Sequence, residues 1–153
     1  MRLPFSVQVF LVAIRGPALS VLLFQRNALP ELALPDFWQG VSGALEPGES
    51  FEAAAIREVL EETSIQLESV QATGFEHVFP IKPEWRASYG PEPLYVREKV
   101  FYAVVSESSA PILSREHKAF RWCSESEALT LLSFANNARC VQSVFQALSS
   151  AGA

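Results

Sequence analysis

The stretch GALEPGESFEAAAIREVLEETSI, residues 43–65, decides how this chain folds and where its negative charge collects. Ser50 is a favourable N-cap, and the alanines and leucines that follow are good helix formers, so the stretch predicts a helix over 50–63. Glu58, Glu61 and Glu62 stand at i, i+3 and i+4, which places three carboxylates within about 100° of one helix face.

These carboxylates predict a metal site. Like charges at this spacing repel by roughly 0.2–0.5 kcal/mol per pair, and no lysine lies on that face, with Arg57 one step round. A hard divalent cation relieves the repulsion, and oxygen ligands suit Mg²⁺, with Mn²⁺ as the alternative. Gly43 and the Pro47-Gly48 turn can bring backbone carbonyls close to the cluster, and Glu49 can add a carboxylate or orient the others.

Length and composition predict one globular domain that spans residues 1–153. Hydrophobic residues make up 49% of the chain and charged residues 19%, which is typical of soluble domains. The net charge of -5 argues against binding a nucleic-acid polymer, which needs a basic surface. It does not argue against a small phosphorylated ligand, because a bound cation can offset local acidity.

Cysteine usage and the apolar N-terminus bear on the cell compartment. Cys123 and Cys140 are too few for a disulfide framework, so we expect two buried thiols in a reducing environment. Residues 1–14 are apolar after Arg2, but the run is too short to span a bilayer. We therefore expect no membrane association and a cytoplasmic protein.

Residue patterns predict a mixed sheet with helices packed against it, which limits the fold class to α/β or α+β. Gly74 is a candidate β-bulge, and the proline-rich loop over 80–96 is long enough to be functional. The predicted strands cover residues 5–14, 18–26, 66–79, 97–106 and 119–123, with a short extended stretch over 37–42. The predicted helices cover residues 50–63, 124–132 and 134–148, and residues 149–153 are expected to fray.

Residues 43–65 resemble the Nudix box: Gly, five residues, Glu, seven residues, then Arg-Glu-apolar-x-Glu-Glu-x-Gly-apolar. Every fixed position matches except the last glycine, which is Ser64 here. That glycine usually lets the chain turn left-handed after the helix, so serine should cost on the order of 1 kcal/mol if the conformation is kept.

The resemblance implies a Nudix fold, a mixed sheet sandwiched between helices, and hydrolysis of a nucleoside diphosphate linked to another group. It implies that Glu58 and Glu62 hold the metal with assistance from Glu61, that the Gly43 carbonyl contributes, and that Arg57 orients the carboxylates. The metal neutralises phosphates and lowers the pKa of the attacking water, and one carboxylate takes the proton.

Outside the box the sequence is similar to one branch of the family, the bacterial dihydroneopterin triphosphate pyrophosphatases. This similarity implies hydrolysis at the α-phosphorus to the monophosphate and pyrophosphate, with Glu116 as a further metal ligand or base. It also implies the substrate contacts Arg2, Arg26, Ser42, Trp85, Arg86 and Ser133. The matching stretches are Phe24-Gln25-Arg26, Phe37-Trp38-Gln39, Val41-Ser42-Gly43, Leu113-Ser114-x-Glu116-His117, Phe120-Arg121-Trp122 and Ser133-Phe134-x-x-Asn137.

Three other functions are compatible with the box. One is the hydrolysis of oxidised purine nucleotides, a second is ADP-ribose or dinucleotide hydrolysis, and a third is ligand sensing without catalysis. Sensors usually lack the box acids, which this chain keeps. In each enzymatic case the expected partner is a small phosphorylated molecule, triphosphate in the leading one, acted on by a monomer or homodimer.

Overall fold

In a computed structural model of the protein, residues 1–15, 18–32, 35–106, 108–132 and 134–151 are described. These ranges contain seven strands: β1 (Phe5–Arg15), β2 (Ala18–Arg26), β3 (Phe37–Gln39), β4 (Val41–Ala44), β5 (Gln71–Pro80), β6 (Tyr95–Val104) and β7 (His117–Cys123). They also contain four α-helices: α1 (Phe51–Thr63), α2 (Arg86–Tyr89), α3 (Glu125–Leu131) and α4 (Ala135–Ala151). Two 3-10 turns, Pro30–Leu32 and Pro83–Trp85, complete the elements.

The strands form one mixed sheet in the order β3-β2-β1-β6-β5, with β4 also paired to β1 and β7 to β2. Strand β1 runs parallel to β6 and antiparallel to β2 and β4. The parallel pairing sets Ser6 opposite Glu98, and the antiparallel pairing sets Val7 opposite Gly43. These two registers bring three distant segments of the sequence to the same end of the sheet.

Helices cover both faces of the sheet, as the predicted sandwich requires. Successive side chains of a strand point to opposite faces, so Val7, Val9 and Leu11 belong to one core cluster and Phe10 and Val12 to the other. The helix residues buried in the two clusters are Ala54, Ala55 and Val59 from α1 and Ala128, Cys140, Val141 and Val144 from α3 and α4.

Several predicted boundaries were wrong. Strand β6 covers Tyr95–Val104 and not residues 97–106, and β7 begins at His117 and not at residue 119. Strand β5 begins at Gln71 and not at residue 66, because Leu67 is instead buried in the core beside α1. The segment over 80–96 is not a plain loop but contains a 3-10 turn and α2. Helix α4 runs to Ala151, past the point where fraying was expected. The predicted bulge is confirmed, since Gly74 has φ 85° within a register shift of the β5–β6 pair.

The two cysteines are free and buried, as predicted. Burial raises the pKa of both thiols, which keeps them protonated and unreactive. None of the helices in the described ranges combines the length and apolar character needed to cross a membrane.

Ser64 keeps the left-handed conformation that the resemblance to the box implies, with φ 63° and ψ 14°, and its N–H donates to the Leu60 carbonyl at 2.9 Å. We expect Ser64→Gly to raise the free energy of unfolding by about 1 kcal/mol in urea denaturation, because glycine adopts this conformation without strain. Ser126→Gly, inside α3, should lower it. An unchanged or lower free energy of unfolding in Ser64→Gly would show that the Ser64 backbone is not strained.

Candidate active site

Helix α1 presents the acidic residues at the edge of strand β4. The helix begins where the Ser50 hydroxyl accepts a hydrogen bond from the Ala53 N–H at 3.1 Å. Glu58 and Glu62 lie one turn apart on the buried side of the helix, whereas the Glu61 side chain is 53% exposed. The i, i+4 spacing therefore directs Glu58 and Glu62 to the protein side.

Arg57 links the acidic residues of this segment. Its Nε and Nη2 atoms each donate to the Glu49 carboxylate at 2.8 Å, and Nη1 donates to Glu58 at 2.9 Å and to Glu61 at 3.2 Å. Nη2 also donates to the Ala44 carbonyl at 3.0 Å. A bidentate guanidinium fixes geometry as well as charge. The expected contact between Arg57 and the carboxylates is present, and Glu49 anchors Arg57.

Gly43 lets the Glu58 carboxyl group lie against the backbone of β4. A Cβ placed on Gly43 would lie 2.1 Å from Cδ of Glu58 and 2.2 Å from its Oε1. Burial raises the pKa of Glu58 to about 7, although Arg57 beside it favours the charged form. A carboxylate that is costly to ionise where it lies gains from a cation at the same place.

We expect Gly43→Ala to reduce kcat/KM on any substrate by at least tenfold, because the added methyl group collides with the Glu58 carboxyl group and moves it. Gly48→Ala is the comparison, since a Cβ there meets no atom within 4 Å and only the left-handed φ of 79° is strained. Steady-state kinetics on both variants separate the effect of the collision with Glu58 from that of backbone strain at Gly48. Equal activities in Gly43→Ala and wild type would contradict the close packing.

Glu62 is held by residues near strand β7. Its Oε2 accepts a hydrogen bond from the Ser114 hydroxyl at 2.6 Å and lies 3.2 Å from Nδ1 of His117. Burial raises the pKa of Glu62, but His117 and Ser114 outweigh burial and bring the pKa below its ordinary value. Burial raises the pKa of Glu116, with Arg26 opposing this rise and Glu62 adding to it.

The α1 carboxylates are neighbours that do not meet at one point. Arg57 holds Glu58 and Glu61, whereas Glu62 is turned toward β7. In the described part of the chain, three ligand atoms within 4.8 Å of one another occur only in the group His77, Glu98 and Cys140. The expected metal donors are nevertheless all oxygens, the donor set that Mg²⁺ and Mn²⁺ prefer, so their chemistry fits a divalent cation.

Two cavities meet beside β4. The acidic cavity, of about 320 Å³, is lined among others by Gly43, Arg57, Glu58 and Glu116. The aromatic cavity, of about 370 Å³, has walls formed by Phe37, Phe79, Trp85, Tyr89 and Phe134. Three residues line both: Arg2, Arg26 and Ser42. The shared residues include two cations, placed between the carboxylates and the aromatic walls.

Of the remaining expected substrate contacts, Trp85 and Arg86 lie in different surroundings. Trp85 lines the aromatic cavity, as just described. Arg86 lines neither of these cavities, because its guanidinium donates to the carbonyl oxygens of Gly90, at 3.0 Å, and of Pro93. It closes the end of α2 instead of facing a ligand. Ser133 lies outside the described residues.

Sequence reasoning missed the polar floor of the aromatic cavity. Glu98 is 5% exposed, and its Oε1 accepts a hydrogen bond from Gln8 Nε2 at 3.0 Å and lies 2.9 Å from His77 Nε2. Its Oε2 accepts from the Ser6 hydroxyl at 3.0 Å. The signal was the alternation in β1, where Ser6 and Gln8 are polar residues on one face of an otherwise apolar strand.

Comparisons with known proteins identify relatives of this chain. The chain is 33% identical over 112 residues to the dihydroneopterin triphosphate diphosphatase of Haemophilus influenzae, covering 71% of this chain and 70% of that protein. It is 35% identical over 129 residues to an octanoyltransferase of Myxococcus xanthus, covering 84% of this chain but 33% of that protein. The solved structure of the E. coli dihydroneopterin triphosphate pyrophosphohydrolase superposes with a TM-score of 0.76 at 28% identity, covering 92% of this chain and 94% of that one.

The model of the NUDIX domain matches residues 4–143. This match includes the box of residues 43–65 and all seven strands of the sheet. The chain belongs to the NUDIX family and is a Nudix hydrolase.

Proposed function

We propose that the protein is a Mg²⁺-dependent pyrophosphohydrolase that converts dihydroneopterin triphosphate to the monophosphate and pyrophosphate. The single observation that carries this proposal is the pair of adjoining cavities that share Arg2, Arg26 and Ser42. A flat ring suits the aromatic cavity, and a triphosphate suits the two arginines. The carboxylates line the other cavity, beyond the arginines. The substrate would therefore lie across the shared residues.

The names of the relatives favour a pterin. Both the Haemophilus influenzae protein and the E. coli structure are named for dihydroneopterin triphosphate. The octanoyltransferase is matched over only a third of its length, so its name says little about the substrate of this chain.

Glu58, Glu62, Glu61 and the Gly43 carbonyl would hold the divalent cation, with Glu116 as a further ligand or as the base. When bound, the cation supplies charge neutralisation of the phosphates and a lower pKa for a coordinated water. Arg57 keeps Glu58 in place through the contacts described above. Arg2 and Arg26 bind the phosphate chain. Because the bound chain cannot rotate freely, its α-phosphorus faces the carboxylates.

In the reaction, a water oxygen forms a bond to the α-phosphorus, and the bond from that phosphorus to the oxygen bridging to the β-phosphate breaks. Pyrophosphate leaves with that oxygen and its electron pair. The proton of the water passes to a carboxylate, for which Glu116 is well placed because it lines the acidic cavity and its side chain is 47% exposed.

A panel of substrates tests the proposal. The purified protein is incubated with Mg²⁺ and with dihydroneopterin triphosphate, 8-oxo-dGTP, dATP or ADP-ribose, and the products are separated by ion-exchange chromatography. We expect pyrophosphate from the triphosphates and the highest kcat/KM on dihydroneopterin triphosphate. A higher kcat/KM on 8-oxo-dGTP would indicate nucleotide sanitation, and cleavage of ADP-ribose alone would indicate a dinucleotide-type hydrolase.

A further inference from the structure

The aromatic cavity has a buried carboxylate at its floor. Glu98 lies on β6 in the interior of the sheet, and among the basic side chains that the structure describes, only His77 lies within hydrogen-bond distance of its carboxylate. A buried carboxylate without a lysine or arginine costs several kcal/mol of desolvation that hydrogen bonds recover only in part. An apolar residue would pack the same place more cheaply, so the position calls for a role other than stability.

The two oxygens of Glu98 are not equally engaged. Oε1 has close contacts with Gln8 and His77, whereas Oε2 has Ser6 at 3.0 Å and Ser42 only at 3.4 Å. A separation of 3.4 Å is long for a hydroxyl donor, and a carboxylate offers about four acceptor sites. Ser42 lines both cavities and Glu98 lines the aromatic one, so a ligand group that replaced the Ser42 hydroxyl at this long contact would reach Oε2.

Further polar atoms of this cavity are unsatisfied. Gln39 Nε2, His77 Nδ1 and Trp85 Nε1 are buried without a hydrogen-bond partner in the structure, and all three residues line the aromatic cavity. An unsatisfied buried polar group costs about 1–3 kcal/mol. A ring with polar edges, reached by small side-chain rotations, would supply partners that the protein itself does not.

We infer that Glu98 is the specificity-determining residue for the ring, selecting heterocycles that carry a ring N–H beside an amino group, an inference that rests on the proposed function. A carboxylate can only accept hydrogen bonds. Pterin and guanine present two adjacent donors on the ring edge, with no acceptor between them. Adenine and cytosine place a ring-nitrogen lone pair beside the amino group, and in uracil two carbonyl oxygens flank the N–H, so each turns an acceptor toward Glu98.

Deleting one donor from the ligand tests this inference in the wild-type protein. Inosine differs from guanosine only by lacking the amino group, so we expect kcat/KM for dGTP to exceed that for dITP by about tenfold, in line with one lost base contact. In Glu98→Gln the ratio should fall to within threefold, with the change mainly in KM, because the contact is made equally in the ground and transition states. Dihydroneopterin triphosphate should lose about as much as dGTP, and dATP should change less than threefold.

A wild-type ratio of dGTP to dITP below threefold would overturn the inference whether or not the variant folds. An equal loss on dGTP and dATP in Glu98→Gln would also overturn it, since that is the signature of general damage. Glu76→Gln, on the exposed side of β5, is the matched control and should keep the wild-type ratio.

Ring binding measured without catalysis separates this inference from the proposed function. Fluorescence titration of neopterin, and calorimetry with guanosine and adenosine, need neither phosphate nor metal. Tighter binding of neopterin and guanosine than of adenosine, abolished in Glu98→Gln, would support the inference even if no triphosphate were hydrolysed. Hydrolysis of dihydroneopterin triphosphate with equal binding of all three rings would uphold the function and refute the role of Glu98.

Discussion

Glu58→Gln should lower kcat on the best triphosphate substrate by on the order of 10²–10⁴-fold. Glu58 is buried, its carboxyl group lies against Gly43, and it accepts a hydrogen bond from Arg57. Glutamine keeps the shape of the side chain but removes the negative charge that a cation and the Arg57 guanidinium both require. The packing against Gly43 is preserved, so the loss reports on charge and not on a collapsed site.

The measurement is steady-state release of pyrophosphate, with Glu52→Gln as the control. Glu52 lies in the exposed first turn of the same helix, and we expect that variant to match wild type. A second readout is thermal unfolding, in which Mg²⁺ should stabilise wild type by mass action and stabilise Glu58→Gln less. Activity of Glu58→Gln within threefold of wild type would refute the proposed role of Glu58 in catalysis.

Arg57→Lys should lower kcat by about 10–100-fold, with a smaller change in KM. Lysine keeps the positive charge but cannot bind Glu49 with two donors while also reaching Glu58 and the Ala44 carbonyl. Arg57 is a positioning residue, so its loss should also raise the Mg²⁺ concentration needed for half-maximal rate. Loss of these charge-assisted hydrogen bonds should cost about 2 kcal/mol of unfolding free energy.

Kinetics over a range of Mg²⁺ concentrations distinguish this role from a purely structural one. Arg121→Lys is the matched control, because Arg121 pairs with Glu127 at the surface and both side chains are about half exposed. A lower stability of Arg57→Lys together with an unchanged kcat and Mg²⁺ requirement would show that Arg57 only supports the fold.

The helix that carries the acidic residues could be predicted from the sequence because its determinants are local. The turn of an α-helix fixes the directions of Glu58, Glu61 and Glu62 relative to one another, and an N-cap fixes where the helix begins. The left-handed conformation of Ser64 was expected from the resemblance to the box, which has a glycine at this position. The sandwich fold was expected from the family resemblance and is confirmed by the solved relatives.

The ring-binding floor could not be predicted because it depends on pairing between distant strands. Ser6 and Gln8 meet Glu98 only through the parallel register of β1 and β6, which no local pattern encodes. For the same reason the pattern could not show that Arg86 turns back to carbonyls of its own segment. It also could not show that Glu62 faces Ser114 and not Glu58.

Hydrolysis of dihydroneopterin triphosphate in ¹⁸O-water, followed by mass spectrometry of the products, tests the proposed reaction most directly. Attack at the α-phosphorus puts one ¹⁸O atom into dihydroneopterin monophosphate and leaves the pyrophosphate unlabelled. Label found in pyrophosphate, or release of orthophosphate in place of pyrophosphate, would contradict the account.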